Sequence, residues 1–322
     1  MKLKRFALLA TAALAAAFVA AAAVGQPTTG TVESHMAMAK VAAGDDNQRL
    51  YRALCEQPAA GPNTGGPRLD PERSTWHVEP VKVFDNLYFV GEKEYSAWAV
   101  NTSDGIILID TIWHYSVADE VEGGLRKLGL DPARLRYAIV SHAHIDHIGG
   151  AQYLQDKFGT RIILSEVDWQ LAETSTRLPS KPKRDMIAYD GQKLTLGDTT
   201  ITMYLTPGHT LGTISTLVPV RDGGRMHLAA EWGGTGFNFE HSRARFETYA
   251  ESAQRFGTIV AQAGADVHIA NHTNQDNSPA KMAALEKRKA GDPHPYVVGT
   301  DSIRRYLQVA EECARVGALR EK

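Results

Sequence analysis

Between Ser141 and Gly150 the sequence reads Ser-His-Ala-His-Ile-Asp-His-Ile-Gly-Gly, and four of these side chains, His142, His144, Asp146 and His147, are of types that bind metal ions. On an extended chain, residues two apart leave from the same side, so His142 and His144 are placed to share one ion. Asp146 and His147 come where the backbone must turn before the glycine pair, which aims them at a second point. Two more histidines follow strands in the same manner. Thr206-Pro-Gly-His-Thr210 presents His209 on a tight turn, and Asn271-His272-Thr273 follows the apolar run 267–270. His209 completes a three-histidine set with His142 and His144, and His272 completes the set begun by Asp146 and His147. Paired ions roughly 3.5 to 4 Å apart activate water against a polarised bond, so hydrolysis is the chemistry this donor pattern supports.

The chain has 12 histidines. His35, His77, His114, His227, His241, His268 and His294 sit in no comparable context, and surface or packing roles are expected for them. His114, in Thr111-Ile-Trp-His-Tyr115, is the least settled, because its loop follows Asp110 and overhangs the same region.

The elements that must carry these residues are read from apolar periodicity and turn residues. Strands are predicted at 78–84, 87–91, 97–101 and 105–110, joined by Asp85-Asn86 and Ser103-Asp104-Gly105 as antiparallel hairpins. The run Ile106-Ile-Leu-Ile109 is apolar throughout, as in a strand covered on both faces, and it ends on the carboxylate Asp110. A helix over 116–128, the strand 137–141, a helix from Gly149, the strand 161–164 and a helix over 166–173 continue as a β/α alternation. Residues 175–184 carry two prolines and four basic side chains, Arg177, Lys181, Lys183 and Arg184. A solvated loop is the ordinary reading of such a run, and a rim that attracts an anionic substrate is the functional one. Strands at 193–196, 199–205, 214–220 and 226–230 form a second group. A helix over 242–261, a strand at 267–270 and helices over 279–289 and 300–316 close the chain. The pattern implies an α/β domain of two packed sheets with helices on both outer sides.

Composition narrows the classes further. With 43% hydrophobic and 22% charged residues the chain is an ordinary globular sequence. Its formal net charge is -2, with no basic stripe interleaved with aromatics, so nucleic acid is not an expected partner. Residues 1–25 have a charged start, an Ala-rich apolar middle and small residues at the end, as a cleaved secretory leader does; a retained membrane anchor is the competing reading. Export implies a periplasmic or secreted protein with no stable membrane association once the leader is removed. Residues 26–75 are rich in Gly, Pro, Ala, Thr and Asn and read as a flexible N-terminal arm with one short helical pattern at 48–55. Residues 76–322 read as one hydrolase domain. Cys55 and Cys313 either pair, tying the arm to the last helix, or remain free.

The order His-x-His-x-Asp-His, Pro-Gly-His and a late His, spread over residues 76 to 318, resembles the metallo-β-lactamase fold superfamily, and most of all its third subclass. The segment Lys287-Arg-Lys-Ala-Gly-Asp-Pro-His-Pro-Tyr296 resembles that subclass's C-terminal loop. The resemblance implies a four-layer αββα sandwich and two zinc ions. His142, His144 and His209 match the ligands of the first ion, and Asp146, His147 and His272 those of the second. Asp110 matches a strand-end aspartate that supports the histidine loop by hydrogen bonds. One departure concerns the segment after strand 226–230. Many dimetal hydrolases of the superfamily place a bridging aspartate there and the third subclass a serine, whereas this chain has Ala230-Glu231-Trp232-Gly233. Glu231 either reaches a metal or stands behind the ligands, and the missing serine weakens the β-lactam reading without touching the dimetal one.

The expected chemistry is that of a dizinc hydrolase acting on a small-molecule substrate. Zinc with an open position lowers the pKa of bound water from 15.7 to about 7, giving a hydroxide nucleophile at neutral pH. Asp146 is expected to orient that hydroxide and shuttle its proton, which makes it the catalytic side chain. Opening of a cyclic amide, most of all a β-lactam, is the first reading. Hydrolysis of a lactone, ester or thioester on the same metals is the second, and a periplasmic metal- or ligand-binding protein without turnover the third. The carboxylate of Asp146 speaks against the third, since storage needs no group placed to orient water. A redox di-iron site is disfavoured because the resembling family of that di-iron kind has a glutamate where His144 stands.

Overall fold

The computed structural model describes residues 30–57, 61 and 70–321, and within them the alternating apolar runs become two sheets. The first contains β1 (Val81–Lys82), β2 (Leu87–Phe89), β3 (Trp98–Asn101), β4 (Ile106–Ile109), β5 (Leu135–Ile139), β6 (Arg161–Ser165) and β7 (Met186–Ala188), side by side in chain order. Short turns make β1 to β4 antiparallel. Helical crossovers make β4 to β7 parallel, as a parallel pair requires. The second sheet contains β8 (Gln192–Leu196), β9 (Thr199–Leu205), β10 (Ile214–Asp222), β11 (Arg225–Trp232) and β12 (Val267–Ala270), in the order β12-β11-β10-β9-β8. Only β12 runs parallel to its neighbour, β11, after a crossover through the helix Arg243–Ala263.

Side-chain alternation sorts the core into three layers. Ile107 and Ile109 of β4 point between the sheets to meet Ile201, Met203, Val218 and Ile269. Ile106 and Leu108 point the other way, onto Leu125, Leu154 and Trp169 of the covering helices. This is why the strand is apolar at every position. On the outer face of the second sheet, Leu217, Ala230 and Trp232 pack with Phe246, Tyr249 and Phe256 and with the C-terminal helix Thr300–Arg320. The result is the αββα sandwich.

The arm departs from expectation. The leader 1–25 lies outside the described residues, but residues 30–57 are helical and docked rather than flexible. The helix Val32–Ala43 is capped by Thr31 and buries Ala39, Ala42 and Ala43. Alanines allow a close approach to the C-terminal helix, and the composition that reads as linker is that of a tight helix contact. His35 Nδ1 lies 2.6 Å from Glu312 Oε2, and Arg305 pairs with Asp46 at 2.6 Å. Cys55 and Cys313 are bonded to each other, so the arm is tied covalently to the last helix. Two smaller differences concern the first half of the domain. The helix expected at 116–128 opens as a wide π-type turn, Ala118–Gly123, before the α-helical Gly124–Lys127, and β7 after the basic run is an additional strand. Among the described residues no helix is long and apolar enough to cross a membrane.

Candidate metal centre

The segments following β4, β5, β9, β11 and β12 converge at one edge of the sandwich, where loops of α/β sheets build sites. Asp110, fully buried just past β4, organises the first of them. Its Oδ1 accepts the Ser141 N–H at 2.6 Å, and its Oδ2 accepts the Ser141 hydroxyl at 2.9 Å and the His147 Nδ1–H at 2.8 Å. His142 follows β5 and donates from Nδ1 to the Gly233 carbonyl at 2.9 Å. His144 ends the extended stretch (φ -75°, ψ 148°), and the single helical turn Ile145–Ile148 then carries Asp146 and His147. Gly150 closes that turn against the β4 loop, because a Cβ there would lie 2.4 Å from the Thr111 carbonyl oxygen. His209 donates from Nδ1 to the Gly236 carbonyl at 2.7 Å. Its turn needs Gly208, where a Cβ would lie 2.7 Å from the Tyr249 ring.

The six candidate ligands gather into two clusters. His142, His144 and His209 form one group and Asp146, His147 and His272 a second, each with its ligand atoms within 4.8 Å of one another. His209 Nε2 lies 3.1 Å from His142 Nε2 and 3.0 Å from His144 Nδ1. In the second group His147 Nε2 is 3.2 Å from His272 Nε2, and Asp146 Oδ2 is 3.4 Å from the former and 3.7 Å from the latter. The His142 and His147 rings, 4.2 Å apart, make the two groups one site.

The electrostatics show what this arrangement suits. Burial pushes His142 well below the ordinary histidine range, and neighbouring histidines push it further. Burial likewise brings His144 down to about 3 and His209 and His272 to about 4. In the first group these are neutral imidazoles whose ring nitrogens face one another across about 3 Å. His147 differs. Burial depresses it too, but the charges of Asp146 and Asp110 and their hydrogen bonds outweigh burial and raise it to about 10. Burial also opposes the charge on Asp146, yet His147 and His272 hold that carboxyl far below its usual range. A cation in each group would fit both features, held by His142, His144 and His209 in one and by Asp146, His147 and His272 in the other, with His147 bound as the neutral imidazole. Three imidazoles, and two imidazoles with a carboxylate, are donor sets that fit zinc.

Glu231 lies in neither group. It is fully buried, accepts the Thr216 hydroxyl at 2.9 Å, and is raised to about 8 by burial with the charge of Asp110 adding to the effect. The remaining seven histidines stay out of both groups. His77 and His227, for example, pair with Glu120 at 2.5 Å and Asp266 at 2.6 Å. The basic run folds back on the helix Glu166–Thr174, with Arg184 pairing with Glu166 and Glu173. Arg177 lies near enough for its charge to add to the depression of His144, which is mainly due to burial.

Two supporting residues have no distinguishing signal in the sequence. Asp168 Oδ2 accepts the Ala143 N–H at 2.8 Å and the Thr210 hydroxyl at 2.9 Å, which joins the loops of His142/His144 and His209. Burial lifts its carboxyl to about 6. In the sequence, Ser165-Glu-Val-Asp168 reads only as a helix start, which it also is. Arg245 reaches from the helix Arg243–Ala263 to the carbonyls of Gly208 and His209, at 2.5 and 3.1 Å.

Comparison with known proteins agrees with the geometry. The profile of the metallo-beta-lactamase superfamily matches residues 90–222. The chain is 30% identical over 208 residues to hydroxyacylglutathione hydrolase of Acidiphilium cryptum, a match covering 59% of this chain and 79% of the relative. A metallo-β-lactamase of Cronobacter sakazakii superposes with a TM-score of 0.61 at 28% identity, covering 72% of this chain and 91% of that one. A subclass B3 metallo-β-lactamase of Bradyrhizobium japonicum superposes with a TM-score of 0.63 at 24% identity, covering 73% and 91%. Fold and donor set together define a metal-dependent hydrolase of the αββα type. The chain belongs to the metallo-β-lactamase superfamily, and the subclass B3 enzymes are among its structural neighbours.

Proposed function

We propose that this protein is an exported hydrolase with a zinc ion in each ligand group, and that it opens a cyclic amide, a β-lactam above all. The observation that carries the reading is the pair of adjacent three-ligand groups with one carboxylate, Asp146, among five imidazoles. Zinc held there supplies Lewis acidity, which acidifies water and polarises a carbonyl oxygen. The chain's own residues do the rest. Asp110 fixes the His147 tautomer by accepting Nδ1–H, and the Gly233 and Gly236 carbonyls do the same for His142 and His209. Asp146 stays anionic and one-fifth exposed, its side-chain accessibility being 21%. It orients the attacking water and takes its proton. As the water oxygen bonds to the acyl carbon and the C–N bond breaks, that proton passes to the leaving nitrogen.

Thioester hydrolysis is the second reading, supported by the Acidiphilium relative, a hydroxyacylglutathione hydrolase. Export rests on the charged, Ala-rich start of the sequence and on the Cys55–Cys313 bond, which suits an oxidising compartment. It goes with a leader over 1–25 and a hydrolase domain over 76–322, to which the docked arm adds a brace.

The test is turnover by zinc-loaded mature protein on nitrocefin, a lactone panel and acyl-glutathione thioesters, beside Asp146→Asn. The substitution removes the orienting charge, so kcat should fall ~10²-fold or more, at least ~2.7 kcal/mol of transition-state stabilisation, with a smaller change in KM. Turnover of thioesters without β-lactams selects the second reading. Turnover of nothing, or an unimpaired Asp146→Asn, refutes the hydrolase mechanism.

A further inference from the structure

Strand β11 ends at Trp232, and the segment 233–238 that follows it carries the acceptors for two ligand imidazoles. His142 donates from Nδ1 to the Gly233 carbonyl at 2.9 Å, and His209 from Nδ1 to the Gly236 carbonyl at 2.7 Å. The segment also lies against the His209 ring, since a Cβ at Gly234 would come 2.8 Å from its Cγ. It therefore sets the direction of two of the three imidazoles in the first group. Among the described residues, no backbone–backbone hydrogen bond holds this segment. A largely buried segment without a ladder takes its position from side chains.

At its start, Ser215 Oγ accepts the Gly233 N–H at 3.0 Å, and Asn271 Nδ2 donates to the Gly233 carbonyl at 2.8 Å. At its centre, Thr235 is 3% exposed and is held at two atoms. Its carbonyl accepts the Tyr249 hydroxyl at 2.9 Å, and the Tyr249 oxygen in turn accepts the Trp232 Nε1–H at 3.1 Å. The Thr235 hydroxyl shares a hydrogen bond with the Tyr306 hydroxyl at 2.9 Å. Tyr249 stands on the helix Arg243–Ala263 and Tyr306 on the C-terminal helix Thr300–Arg320, so two separate helices converge on one residue between the two acceptor carbonyls. Both phenols are buried in an apolar cluster, where packing alone calls for phenylalanine. Their hydroxyls are accounted for by Thr235 and, at Tyr249, by Trp232.

We propose that Tyr249 and Tyr306 are positioning residues of the three-histidine group: by clamping Thr235 they fix the Gly233 and Gly236 carbonyls, and with them the tautomer and direction of His142 and His209. Their action passes entirely through the segment. Partners that orient ligand imidazoles from behind change metal affinity ~10 to 100-fold. Only that last consequence rests on the two-group metal reading, so one arm of the test uses no metal.

The first arm is proton NMR of the metal-free protein. Imidazole N–H protons held by buried carbonyls exchange slowly with water. Those of His142 and His209 should exchange about tenfold faster in Tyr306→Phe and in Thr235→Val, equivalent to one net hydrogen bond of about 1.4 kcal/mol. Thr235→Ser keeps the hydroxyl and should restore the parent rates. The His147 Nδ1–H is held by Asp110 and should keep its rate as an internal reference. Tyr296→Phe removes a buried hydroxyl bonded to Ser278 at 3.1 Å, and as the control for general destabilisation it should leave His142 and His209 unchanged. The second arm is cobalt(II) titration, in which Tyr306→Phe should weaken one ion about tenfold and spare the other. Unchanged exchange in folded Tyr306→Phe and Thr235→Val overturns the clamp, as does equal acceleration at His147 or in Tyr296→Phe. If Tyr249→Phe fails to fold, the Tyr306 and Thr235 variants still report. A parent that takes up no cobalt defeats the metal reading while the exchange arm still decides the clamp. Two bound ions with neither arm altered by the variants defeats the clamp and leaves the metal reading standing.

Discussion

Replacing Asp168 by alanine should loosen the three-histidine group without reaching the second one. Asp168 Oδ2 is the shared acceptor of the Ala143 N–H, between His142 and His144, and of the Thr210 hydroxyl, next to His209. Hydrogen bonds to a charged group contribute about 1.5–3 kcal/mol each, and a buried N–H left without an acceptor costs about 1–3 kcal/mol. The Thr210 hydroxyl has an alternative partner in Thr213 Oγ1 at 2.8 Å, but the Ala143 N–H has none among the described residues. Truncation should therefore remove about 2–4 kcal/mol of stability. By loosening both loops that supply the group, it should also lower the affinity for that ion ~10 to 100-fold. The assay is zinc retention after dialysis against a graded chelator series, alongside thermal unfolding. The parent should keep two ions, and Asp168→Ala one, over an intermediate range of chelator. Asp168→Asn keeps an acceptor oxygen and should recover much of the loss. If Asp168→Ala retains both ions as the parent does, or releases both together, the bridging role assigned to this carboxylate is refuted.

Elemental analysis at saturating zinc should return two ions per chain, and His209→Ala should lose the first group's ion in preference to the second's; a single tight ion in the parent contradicts the two-group reading. Breaking the Cys55–Cys313 bond, whose ends are 258 residues apart, should lower stability by about 2–4 kcal/mol, seen as a lower thermal midpoint in Cys313→Ser under non-reducing conditions. An unchanged midpoint would mean that the arm docks without help from the bond. Glu92 is pushed up to about 8 by burial, which outweighs its hydrogen bond from Ser116. With the folded pKa above the unfolded one, its contribution is fully present below about pH 4.3 and is lost as pH rises towards 8. Glu92→Gln should flatten that part of the stability profile, and denaturant melts showing the parent's slope unchanged in the variant would rule the assignment out.

The six candidate ligands could be picked out in the sequence because donor chemistry depends on residue type and on what a short stretch of backbone allows. Spacing separated His142 and His144 from Asp146 and His147, and the position of His209 and His272 just after strands marked them as the partners that the fold gathers with these two pairs. The two sheets were legible for a related reason. A strand such as β4 must satisfy two cores at once, and that requirement writes itself into every one of its positions. What the sequence could not decide depends on contacts between distant segments. Ala39, Ala42 and Ala43 look like linker until the C-terminal helix lies against them. Cys55 and Cys313 carry no spacing rule and pair because that same docking aligns them. Asp168 is an ordinary helix-start aspartate until β6 places it beneath two ligand loops, 25 and 42 residues away along the chain. The sequence left open that Glu231 reaches a metal, whereas in the fold it accepts the Thr216 hydroxyl and lies in neither group. Donor chemistry is local and can be read residue by residue. Support, burial and the surroundings of the substrate are set by how the two sheets and their helices close on one another.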